Sequence, residues 1–174
     1  MSISKKLLKH LDTKKVKYTV VPHKTVFTAY DLAQTLRAKL EDIAKTLVVK
    51  ADKNHLIVVL PGNRRLDFSK LQKLVKAKKV DIAKEDVMQK VFGVKPGALT
   101  PFGALYKGAP VLIDTALAKA KKILAGAGTY EESLHMTVKD FLKATEGKLG
   151  NFSEKSKIKL QQSQNHRIKK SQQH

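Results

Sequence analysis

Two apolar, β-branched runs lie close together in this chain, Thr46-Leu47-Val48-Val49 and His55-Leu56-Ile57-Val58-Val59-Leu60. Branched side chains suit a pleated sheet and crowd a helix. Asp52-Lys53-Asn54 between them supplies turn chemistry, so the pair reads as an antiparallel hairpin. Both strands are too apolar to stand alone in water. They commit the chain to a sheet that other elements must cover.

The flanking segments supply those elements. Leu7, Leu8 and Leu11 recur at helical spacing after Ser4. Val16, Tyr18 and Val20 alternate with polar residues and predict a strand ending at Pro22-His23. Thr28 with Asp31 resembles a capping box for a helix through about Leu36. Asp67 starts a helix with Phe68, Leu71, Leu74 and Val75 on one side, and a shorter helix is expected over 84–91, broken by Gly93 and Pro96. Pro110 to Asp114 reads as an apolar strand ending in an acid, 123–127 and 134–138 read as further strands, and Thr137 with Asp140 caps a last helix reaching Ala144. There is no regular βαβ rhythm, so the fold expected is α+β, helices around one mixed sheet. From Gly147 the composition turns to Gln, Ser, Asn and Lys, which predicts one domain over 1–146 and a basic, flexible tail over 147–174.

Charge is the strongest bulk signal. Thirty-five basic residues against fifteen acidic ones leave a net charge of +20. Such an excess destabilises a compact state unless a polyanion or counterions screen it. Nearly all the cations are lysine; the arginines are Arg37, Arg64, Arg65 and Arg167. Lysine is a mobile point charge, better suited to a phosphate backbone than to base edges. A merely solubilising surface is the alternative reading. Cysteine is absent, which excludes disulfides, thiolate metal sites and a cysteine nucleophile. No apolar run approaches the ~18 residues of a membrane span, so a cytoplasmic protein with no membrane partner is expected.

Familiar catalytic signatures are missing. There is no Gly-x-Gly-x-x-Gly, no phosphate loop, no His-Glu-x-x-His and no Gly-x-Ser-x-Gly elbow, and the six histidines lack metal-ligand spacing. An enzyme with this sequence would work without a metal, a cofactor or a protein nucleophile. Backbone amides, a cation and the substrate's own hydroxyl would carry the chemistry. Lys45, between Ile43-Ala44 and Thr46-Leu47-Val48-Val49, is a cation at the mouth of an apolar strand. On its residues alone, a lysine snorkelling at a strand end is the simpler reading. Gly97 to Gly103 is a loop with glycines that permit close approach and a stiffening Pro101, although such a loop is as often only a turn.

Several segments then occur in order: Ala44-Lys45-Thr46-Leu47-Val48-Val49, Leu60-Pro61-Gly62 with Leu66-Asp67, Gly97-x-x-x-Pro101-Phe102-Gly103, Val111-Leu112-Ile113-Asp114 and Ala125-Gly126-Ala127-Gly128. Each is weak, but their order and spacing resemble the YbaK and prolyl-tRNA synthetase associated editing-domain family over roughly Lys14 to Lys143. The resemblance implies a mixed, barrel-like sheet flanked by helices and hydrolysis of mischarged aminoacyl-tRNA. It implies Lys45, Gly97 and Pro101 as catalytic. It places Thr46, Thr100, Phe102, Gly103, Asp114, Gly128, His23 and His135 at the substrate, with His135 and His23 also readable as ordinary strand and loop histidines. The implied protein is a free-standing deacylase that removes a small amino acid (alanine, serine, threonine or cysteine). Its expected partners are aminoacyl-tRNA and an aminoacyl-tRNA synthetase. The alternative is a non-catalytic RNA-binding or regulatory module on the same fold.

Overall fold

The computed structural model describes residues 3–95 and 97–156. In chain order the elements are α1 (Lys5–Thr13), β1 (Thr19–Pro22), α2 (Ala29–Leu36), β2 (Ala44–Ala51), β3 (Asn54–Pro61), β4 (Arg64–Leu66), α3 (Phe68–Val75), β5 (Val80–Ile82), α4 (Glu85–Val87), β6 (Val111–Asp114), β7 (Lys122–Gly126), β8 (Glu132–Thr137), α5 (Val138–Thr145), β9 (Lys148–Gly150) and β10 (Ser153–Lys155). Helix starts follow local chemistry. Ser4, Thr28, Asp67 and Thr137 each accept a hydrogen bond from the backbone N–H three residues on, satisfying a donor the helix cannot.

β2 and β3 form the expected hairpin, with Lys45 opposite Leu60 and Ala51 opposite Asn54. It is the middle of a five-stranded sheet ordered β5-β2-β3-β6-β9, mixed because β6 runs parallel to both β3 and β9. β3 is buried on both faces. Ile57 and Val59 join a core cluster with Phe102, Leu134 and Phe141, while Leu56, Val58 and Leu60 pack with Leu71 and Phe152. That explains its unbroken apolar run, which an alternating surface strand would lack.

Three expectations need correction. The single barrel-like sheet is three sheets: the five-stranded one, an antiparallel β1-β8-β7 sheet and a β10-β4 ribbon. No closed barrel is formed among the described residues; Ile43, just before β2, makes a single bridge to Leu124 of β7. Pairing with β5 starts only at Val49, so the edge of β2 between these points is left uncovered. Secondly, β1 starts at Thr19, because Val16 and Tyr18 pack into the core beside α1 instead of pairing with β8. Thirdly, the domain does not stop at 146. β9 and β10 pair with β6 and β4, and Phe152 between them is fully buried. The rest of the expected tail, 157–174, lies outside the described residues.

The short helix expected over 84–91 is one α-turn, α4, continued by a π-turn, Met88–Phe92, and closed by Gly93 in the left-handed region. π-turns interrupt the regular ladder and recur at functional sites. This one borders the cavity described next. Among the described residues, no helix is long and apolar enough to cross a membrane.

Candidate functional site

The uncovered edge of β2 opens onto a cavity of ≈ 430 Å³. Ile43 to Val48 form one wall, and the start of α2, with Phe27, Thr28 and Leu32, forms another. Ile82 and Ala83 after β5, Glu85 and Met88, Gly97 and Leu99, and Gly126, Thr129, Glu132 and Ser133 complete it. The cavity exists because two sheets share one bridge and diverge from it.

Lys45 sits in this wall. Its Nζ donates to the backbone carbonyl of Arg64 at 2.5 Å. Burial pushes its pKa below the ordinary lysine value, since the charged form has lost water. No ion pair with a carboxylate compensates it among the described residues. A partly desolvated ammonium at a cavity wall is poised to attract a phosphate or a developing oxyanion.

The Gly97 loop contributes Gly97 and Leu99 to the same lining. Gly97 has φ +81°, and a methyl there would lie 3.0 Å from a Tyr130 ring carbon and 3.3 Å from the Phe27 carbonyl. Only glycine meets both demands without strain. The Phe27 and Tyr130 rings contact each other with centroids 4.8 Å apart, and Phe27 is 62% exposed at the cavity rim. Gly126 and Gly128 seat the loop from behind, where added methyls would meet the Leu99 carbonyl at 3.0 Å and the Thr100 methyl at 3.3 Å. The Thr100 N–H donates to the Tyr106 hydroxyl at 3.0 Å, and the Ala98 N–H donates to the Lys95 carbonyl at 3.0 Å. Those two amides are therefore engaged within the protein.

The expected residues thus divide. Lys45, Thr46 and Gly97 line the cavity together. His23 stands one step behind it, its Nε2 2.9 Å from the hydroxyl of cavity-lining Ser133. Thr100, Pro101 and Gly128 are not in the lining; Thr100 and Gly128 form the loop's backing. Phe102, Gly103 and Asp114 do not reach it. Phe102 is fully buried against Phe141 and His10. Gly103 is small because a methyl there would run into the Ala109 carbonyl. Asp114 is 1% exposed and accepts from the N–H groups of Ala116 and Phe152, both at 2.9 Å, which makes it a structural carboxylate. His135 pairs with Thr19 and Leu124 in the three-stranded sheet, away from the lining.

The sequence reading missed Phe27, Met88, Glu132 and Ser133, and the Arg64 carbonyl. The Thr28 cap was legible, but nothing local says that it docks beside β2. No group of three His, Asp or Glu residues that could hold a metal ion occurs among the described residues.

The model of the aminoacyl-tRNA editing domain family matches residues 23–144. The prolyl-tRNA editing protein ProX of Acetoanaerobium sticklandii is 29% identical over 107 residues, which are 60% of this chain and 65% of that protein. A proline–tRNA ligase of Fervidobacterium nodosum is 33% identical over 101 residues, 58% of this chain and 17% of the ligase. The chain thus spans just under two thirds of ProX and a small part of the ligase. Among solved structures, hypothetical protein APE2540 superposes with a TM-score of 0.79 at 22% identity, covering 86% of this chain and all of that one. A candidate trans-editing enzyme for prolyl tRNA synthetase gives 0.72 at 24%, covering 88% of this chain and 99% of its own. Both likenesses speak to the fold. With more than half its length matched, the chain belongs to the aminoacyl-tRNA editing domain family.

Proposed function

We propose that this protein is an aminoacyl-tRNA deacylase acting in trans, hydrolysing the ester between tRNA and a wrong, small amino acid. The observation that carries the reading is Lys45, a partly buried cation that lines an open cavity together with Gly97. An aminoacyl ester is already activated, so orienting it and stabilising charge suffice. Lys45 holds or polarises the substrate near the terminal ribose. The Gly97 loop lets the ester approach the backbone, and a neighbouring ribose hydroxyl or a water attacks. Similarity to ProX and to proline–tRNA ligases favours tRNA of the proline class, and a synthetase is a natural partner. The cavity must take the amino acid as well as the end of the RNA, which favours a small side chain such as alanine, serine, threonine or cysteine.

The test is a panel of mischarged tRNAs incubated with the full chain and with Lys45→Ala. Release of one small amino acid by the wild type, with loss of turnover in a folded Lys45→Ala, is expected. Near-normal turnover by Lys45→Ala would remove the mechanism. Tight tRNA binding without turnover of any ester would support the non-catalytic RNA-binding module instead.

A further inference from the structure

The group that holds Lys45 belongs to a strand with little support of its own. β4 is three residues long and follows directly on the turn that ends β3; its ladder partner is β10. The Arg64 carbonyl that accepts from Lys45 is only as fixed as this ribbon. The ribbon is clamped by Arg64 itself, whose Nε donates to the Ser153 hydroxyl at 2.6 Å and whose Nη2 donates to the Ser153 carbonyl at 3.1 Å. Ser153 is fully buried.

β10 is anchored in turn. The Phe152 N–H donates to Asp114 at 2.9 Å, the Phe152 carbonyl accepts from the Asp67 N–H at 2.8 Å, and the Phe152 ring is fully buried. Phe152 and Ser153 lie beyond residue 144, where the family match ends, while their partners Arg64, Asp67 and Asp114 lie within it.

We propose that Ser153 and Arg64 are positioning residues for the site: β10, through the Arg64–Ser153 clamp, holds the Arg64 carbonyl that fixes the ammonium of cavity-lining Lys45. Lysine has a flexible four-carbon stem, so an ammonium without a fixed acceptor samples many rotamers. Orientation at a reacting centre is lost accordingly. The inference rests on the deacylase reading for its kinetic arm only.

The experiment uses the full chain as wild type, Ser153→Ala and Arg64→Lys. The second variant keeps the charge and removes the planar fork, and it changes a half-buried side chain, so it decides the matter should Ser153→Ala fail to fold. Hydrogen exchange of the Lys45 ammonium with water is followed by nitrogen-15 NMR, the signal being assigned by its loss in Lys45→Ala. Exchange at least about fivefold faster in a folded variant is expected, as for loss of one hydrogen bond's protection. On a mischarged tRNA, kcat should fall about tenfold while KM holds, because orientation and not binding is lost.

A folded variant with wild-type exchange and wild-type kcat would overturn the proposal while leaving the deacylase assignment intact. Faster exchange in the variants of a protein that hydrolyses no ester would sustain the clamp and sink the deacylase reading.

Discussion

Lys45 stands where a cation costs stability. Its folded pKa is lowered from 10.5, so between the lowered value and 10.5 the unfolded chain binds more protons than the folded one. Stability then rises with pH across that window, and below it the burial penalty is present in full. Lys45→Met removes both the charge and this dependence. Urea melts from about pH 7 to about pH 10 should show the variant's stability relative to wild type declining as pH rises; a flat difference would mean a fully solvated ammonium. At Gly97, alanine has to adopt φ +81° and push on the Tyr130 ring. A cost of about 1–3 kcal/mol and a kcat lower by about 10²-fold are expected, measured by melting and by deacylation. Full activity in a folded Gly97→Ala would reduce the loop to a turn.

Among the elements, β9 and β10 matter most for what can be cut away. Phe152→Ala should cost about 3–5 kcal/mol, since it empties a site shared with Leu66 and Leu71. Truncation after residue 146 removes both strands and leaves the Asp114 carboxylate without the Phe152 N–H, so a large fall in Tm follows. Truncation after residue 156 spares every described contact and should melt as the full chain does. Comparing the two truncations by calorimetry separates a structural C-terminal ribbon from a dispensable extension. The stretch reads as tail in sequence because a single aromatic, Phe152, carries its burial between polar neighbours.

For the whole molecule, a net charge of +20 makes contact with a polyanion the dominant long-range term. If the lysines neutralise tRNA phosphates, log K must fall with log salt by about 0.7–0.9 per phosphate neutralised. Titrations at several salt concentrations measure that slope. The truncation after residue 156 removes several cations of the C-terminal segment, so a flatter slope is expected, with hydrolysis of saturating minimal aminoacyl-RNA unchanged. Equal slopes would assign the RNA grip to the folded lysines alone.

Local chemistry was enough to read the hairpin of β2 and β3, the starts of α1, α2, α3 and α5, and strands over 110–114, 123–127 and 134–138, which form within one or two residues as β6, β7 and β8. Each rests on neighbours within a few residues: branched runs, turn residues, or a cap three positions from its donor. Lys45 and Gly97 were legible for a related reason, since their segments keep a recognisable order along the chain. What stayed hidden depends on contacts between distant segments. Phe102, Gly103 and Asp114 carry the same motifs whether they face a substrate or a core, and packing against Phe141, Ala109 and Phe152 places them in the core. The divergence of two sheets at the Ile43–Leu124 bridge opens the cavity, and the Arg64–Ser153 clamp spans 89 positions. Such pairings are settled by which surfaces exclude water together, a property that no stretch of sequence carries alone.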